Sequence, residues 1–164
     1  MKSILITTLA MLASLAARDA LPATPESPLR GTWTLVAAER LLPDGERVAD
    51  YGASPTGRLI VDSQGRYSLQ IFKSERLRFA SGDKARGKTD EYESAVLGSS
   101  THYGTVVVDA QRHTLSFRIE GASFPNWEGA NQQREYTLAD GVLTYRVPPR
   151  PDGAIPISVW RKLD

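Results

Sequence analysis

The chain has 164 residues, of which 41% are hydrophobic and 24% charged; its formal net charge is +1 and it contains no cysteine. That length suits one domain with a sizeable core or a wrapped cavity, and the near-neutral, dispersed charge excludes a nucleic-acid footprint. The absence of cysteine excludes disulfides, thiol chemistry and a lipoprotein anchor, so stability rests on the core.

The first 17 residues stand apart. Lys2 precedes an uncharged apolar run from Ile4 to Ala17, and charges and prolines begin at Arg18, Asp19 and Pro22. This is the layout of a secretory signal peptide over residues 1–17. Small residues at Ser14-Leu15-Ala16 place cleavage after Ala16 or Ala17. The run is shorter than the ~20 residues needed to span a bilayer. The expected product is exported, periplasmic or secreted, without a membrane span in the mature chain. Residues 18–30 hold Pro22, Pro25 and Pro28 and read as an extended linker. The folded domain is expected over residues 31–164.

Period-two alternation then dominates. Trp33, Leu35 and Ala37 alternate with Thr32, Thr34 and Val36, and a short apolar stretch follows at Arg58–Asp62. Tyr67, Leu69 and Ile71 form the next apolar face. Thr105–Asp109 is valine-rich. His113, Leu115, Phe117 and Ile119 share one parity, as do Arg134, Tyr136 and Leu138, then Leu143, Tyr145 and Val147. Ser158–Lys162 closes the chain. The connectors Asp44-Gly45, Ser63-Gln64-Gly65, Asp140-Gly141 and Asp152-Gly153 are turn signals, because glycine takes positive φ without steric cost. Between Ile71 and Thr105 one polar segment carries helix signals. Thr89 or Asp90 can cap, Asp90, Glu91 and Glu93 crowd the first turn, and Gly98 stops it, so a helix is expected over Thr89–Leu97. Residues 73–88 become a long loop that, with the helix, covers one end. Eight or more short strands with tight turns predict an all-β sandwich or an up-and-down antiparallel barrel with one short helix between strands.

Gly31-Thr32-Trp33 opens the first strand. RFASGDKARGKTDEY runs from Arg78 to Tyr92, HYGTVVVD from His102 to Asp109, SFPNWEGANQQREY from Ser123 to Tyr136, and Val159-Trp160-Arg161 closes. Together these resemble the lipocalin-like domain family of bacterial and fungal proteins, over roughly Gly31 to Lys162. The resemblance implies a lipocalin-like barrel and leaves function open. It also implies a structural role for Gly31 and for Trp33, which would pack at the closed end under a late arginine; Arg161 fits that place as a cation–π partner.

No strong catalytic or cofactor motif is present. Only two histidines occur, with no zinc-ligand spacing, no Gly-rich phosphate loop and no Gly-x-Ser-x-Gly, so no metal, cofactor or catalytic residue is expected. The informative residues are polar ones in apolar register. Arg134 shares parity with Tyr136 and should point inward, where a charge needs a partner. That partner is either protein, with Glu39 the candidate by its parity with Trp33 and Leu35, or the oxygen of a ligand. Only one of His102 and Tyr103 can face the lumen, and Tyr103 is expected to, because Thr105 and Val107 continue its face. His113 sits at a strand start near a rim, and Trp127 either plugs the barrel or rims its mouth. The expected binding set is Arg134, Tyr103, Tyr136, Tyr67, Phe117, Trp127 and His113. Aromatic walls with polar handles suit a small apolar ligand carrying one or two oxygens. The alternatives are a cofactor-independent isomerase or cyclase, in which Arg134 acts with Tyr103 or His113 on a carbonyl compound, and a structural module whose barrel is filled.

Overall fold

A computed structural model describes residues 26–163, so the expected signal peptide and most of the proline-rich linker lie outside the described residues. Nine strands form: β1 (Gly31–Leu41), β2 (Arg47–Ala49), β3 (Thr56–Val61), β4 (Arg66–Phe72), β5 (Ser99–Asp109), β6 (Thr114–Ala122), β7 (Asn131–Ala139), β8 (Val142–Arg146) and β9 (Ile155–Leu163), with helix α1 (Thr89–Leu97) between β4 and β5. All pairings are antiparallel. Apart from β2, a short ribbon on β1, each strand pairs with the next in the chain, and β1 pairs with β9. The result is an eight-stranded, up-and-down closed barrel, in which the β1–β9 pairing joins the two edges that an open sheet would leave.

The alternation explains the inside. In β4, Tyr67, Leu69 and Ile71 are buried, and in β6 Leu115, Phe117 and Ile119 are. The β7–β8 hairpin turns on Asp140 and Gly141, both at positive φ (49° and 71°). That matches the right-handed strand twist and explains the Asp-Gly pair.

The tight hairpins 62–65, 110–113 and 140–141 gather at one end of the barrel. There Leu29 is fully buried and its carbonyl accepts the indole N–H of Trp33 at 2.8 Å. The linker reading for residues 18–30 therefore stops short: Leu29 belongs to the core and plugs the closed end. The cation over Trp33 is the Lys162 ammonium, 5.6 Å from the ring centroid, and not Arg161, which faces outward and is exposed. Register is the cause. Trp33 pairs with Lys162, and paired residues share a face, whereas Arg161 pairs with Thr34. Gly31, at φ +131°, lets the Lys162 stem pass; a Cβ there would stand 2.9 Å from its Cε.

Helix α1 has the expected bounds, but its entry differs. The residue before it is Lys88, and the Glu91 carboxylate accepts from the backbone N–H of Lys88 (2.8 Å) and Ala80 (2.9 Å). These two bonds hold Glu91 below the usual carboxylate range.

Candidate functional site

Below its middle the barrel is filled: Trp33, Tyr67, Leu115, Phe117 and Trp160 belong to one packed cluster. Above it lies a cavity of about 350 Å³, within the usual pocket scale of ~300–1,000 Å³. A barrel filled throughout is thereby set aside. The apolar walls are Leu69, Ile71, Ile119 and Ile157, and the rim comes from Tyr51, Trp127 and residues 147–150. No residue of 73–98 lines it, so the long loop and α1 sit at the open end without supplying its lining.

Arg134 forms the floor. It is 4% exposed, and its guanidinium carbon lies 4.1 Å from the Phe117 centroid and 5.0 Å from that of Tyr145. Its Nη2 donates to Gln132 Oε1 at 2.8 Å, and its buried Nε has no partner among the described residues. Burial pulls its pKa below the ordinary arginine value, yet a guanidinium stays protonated in proteins. The expected partner Glu39 is elsewhere: its carboxylate meets Arg47 at 3.1 Å. A bulge in β1 between Leu35 and Ala37 shifts the parity, so Ala38 turns inward and is buried while Glu39 reaches the rim. No salt bridge to Arg134 exists among the described residues, so a buried charge is held by one neutral amide and two rings.

His102, not Tyr103, faces the lumen. His102 is 6% exposed and lines the cavity, whereas Tyr103 is 56% exposed on the outer wall. Both faces of β5 are apolar, so Val107 pointed the wrong way. Gly104 belongs to the inner face: at φ +156°, its missing Cβ leaves room for the Arg118 carbonyl, which would stand 2.0 Å away, where the β5–β6 register shifts. Outside, Tyr103 covers Gly121, whose added Cβ would meet the ring at 2.5 Å.

His102 Nδ1 lies 2.7 Å from the Tyr67 hydroxyl. Burial, then the nearby Arg134 charge, push the imidazole pKa from 6.5 down to about 3, so it is neutral. Burial pushes the Tyr67 phenol above its usual value. Tyr67 and Phe117 lie in the packed layer beneath the floor, outside the lining. Tyr136 is half-buried, and its backbone N–H donates to the His113 carbonyl at 2.9 Å. His113 itself is an exposed turn residue at φ 52°, at the closed end and so far from the cavity; a short turn, not the first position of a strand, decides its place. Trp127 resolves to the rim, in a 3₁₀ turn over Pro125–Trp127, with its ring 6.1 Å from His102.

The mouth is braced by Asp50, which binds Arg150 (Nη2–Oδ2 2.6 Å) and Arg40 (Nε–Oδ1 2.9 Å). This ties the β2 segment to the 147–154 loop across the chain. Sequence reasoning missed Asp50, Arg150 and Gln132; an Asp-Tyr at a strand end and a Gln two residues before Arg134 carry no distinctive signal. Among the described residues no group of three or more His, Cys, Asp or Glu is poised to hold a metal ion, and no helix is long and apolar enough to cross a membrane.

A closed antiparallel barrel with an internal cavity at one end is a lipocalin-like architecture, the kind that holds small molecules in general. The family model described as the lipocalin-like domain matches residues 30–163, and the chain belongs to that family. Comparison with curated proteins and with solved structures finds no match.

Proposed function

We propose that this chain is an exported binding protein for a small, largely apolar or aromatic molecule bearing one or two oxygens. One observation carries the reading: a buried arginine, without a charged partner among the described residues, forms the floor of a cavity walled in part by Leu69, Ile71, Ile119 and Ile157. Leaving a charge so placed is costly unless something compensates it. Leu69→Trp or Ile157→Trp fills the cavity without touching Arg134. Saturable displacement of an apolar fluorophore by wild type, lost in the filled variants, is the expected result. Equal binding by filled and wild-type proteins moves the site elsewhere. Export is tested separately: the full chain, expressed in a secreting host, should begin at residue 17 or 18, and recovery of Met1 ends that part of the reading.

The isomerase or cyclase reading ranks second. His102 and Tyr67 sit beside Arg134, which gives it a proton-carrying pair other than Tyr103 or His113. A general base works best with a pKa near the operating pH, and an imidazole pulled to about 3 is a poor one.

A further inference from the structure

We propose that the cavity floor is a carboxylate site, which takes the ionised head of an amphipathic acid and discriminates against alcohols, esters and amines of the same body. The proposal rests on the binding reading above and names the ligand class.

The floor presents donors. Arginine has five N–H donors and no acceptor. Its bond to Gln132 therefore uses the amide oxygen, which orients that amide and leaves its NH₂ as the free end. His102 follows from Tyr67. The phenol is 4% exposed, and its one hydrogen bond among the described residues is to His102 Nδ1. A buried hydroxyl hydrogen needs an acceptor, so Nδ1 accepts it and the imidazole proton sits on Nε2. The tautomer thus turns a potential acceptor into a third donor. Tyr145, which also lines the cavity, can donate or accept and adapts to either.

An ionised carboxylate is acceptor-only and brings the missing negative charge. An alcohol accepts bonds but brings no negative charge, and an amine, protonated at pH 7, brings a second positive charge and only donors. An ester carbonyl accepts bonds but leaves the guanidinium charge uncompensated. The carboxylates of the rim do not serve in its place: Asp50 is held by Arg150 and Arg40, and Glu39 by Arg47. The apolar walls between floor and rim then take the body of the acid.

The test is calorimetry at pH 7 with two matched series, decanoate and 2-naphthylacetate, each with its methyl ester, alcohol and amine. Wild type should bind the acids at least about tenfold tighter than the neutral members, the least that one charge-assisted hydrogen bond supplies. Gln132→Glu places a carboxylate where the amide oxygen now meets Arg134. It should abolish the preference for acids over esters and alcohols. Esters and alcohols bound by wild type as tightly as the acids overturn the carboxylate site and leave the binding reading standing. No binding of either series, by wild type and variant alike, overturns both. Side-chain ¹⁵N spectra of the empty protein supply a readout independent of ligand: a proton on His102 Nε2 is expected, and one on Nδ1 overturns the donor floor.

Discussion

Replacing Arg134 by methionine separates a structural arginine from one kept for a ligand, because the two roles change stability in opposite directions. Methionine keeps the stem and the contact with Phe117 but removes the charge. The loss is one charge-assisted bond to Gln132 at 2.8 Å, about 1.5–3 kcal/mol, and a desolvated cation–π contact over Phe117 at 4.1 Å, about 2 kcal/mol. Against this stands the removal of a buried ion, whose effective penalty is several kcal/mol. A thioether on the same ring also regains about 0.3–1.5 kcal/mol. Gln132 lines the cavity, so its freed oxygen can turn to water there. The opposing sums are of similar size, and empty Arg134→Met should lie within about 1 kcal/mol of wild type or above it. Urea unfolding without ligand measures this through the midpoint at constant m, and calorimetry with a carboxylate probe should show binding lost. A drop of about 3 kcal/mol or more, the cost of breaking a buried pair, would mean that Arg134 is a structural member of the core and would refute the reasoning.

Trp33→Ala should cost about 3–5 kcal/mol, since Trp33 is 1% exposed and its indole anchors Leu29; a melting curve like wild type would remove the closed-end plug. Gly104→Ala should destabilise by about 1–3 kcal/mol or more, because a Cβ there meets the Arg118 carbonyl at 2.0 Å; thermal melts decide it, and an unchanged midpoint rules out the close strand approach. His102 predicts acid sensitivity: its folded value is about 3 against 6.5, so the unfolded chain takes up the proton first as pH falls. Its contribution is intact above pH 6.5 and is lost at about 1.4 kcal/mol per pH unit between 6.5 and 3. Urea midpoints of wild type and His102→Gln at pH 7, 5.5 and 4.5 should converge by that amount; parallel curves mean that His102 takes up its proton at the same pH in the fold as in the unfolded chain.

The barrel was legible because its evidence is repeated. Each strand carries its own alternation, each hairpin its own turn residues, and one misread strand leaves the others in place. The helix over Thr89–Leu97 was legible for the same reason, with acidic residues at its start and Gly98 at its end. Its cap was not, because the Glu91 carboxylate reaches a backbone N–H at Ala80, on the far side of the 3₁₀ turn over Lys84–Arg86. No local pattern announces a contact of that kind.

The site was harder, and its errors share a physical origin. Counting parity along a strand assumes that no residue is inserted. Between Trp33 and Glu39 the β1 bulge inserts one, and the inward position passes to Ala38. In β5 the count was sound but its anchor was not: Gly104 marks the inner face because the neighbouring backbone occupies the place of its side chain. Arg134 escaped both faults. No register shift interrupts β7 in its pairing with either neighbour, and the Asp140-Gly141 turn pins β7 to β8, where Tyr145 pairs with Tyr136. Arg134 and Tyr136 therefore share the face that Tyr145 buries, whatever happens at the bulges. Inward residues counted from a tight turn along an uninterrupted strand are reliable, and Arg134 is the one charged residue of the site that meets this condition. Its partner could not be read the same way. Gln132 and His102 reach the floor from two strands, with Tyr67 beneath it on a third, and their donor character depends on the hydrogen bonds they make with Arg134 and Tyr67, which closure of the barrel creates.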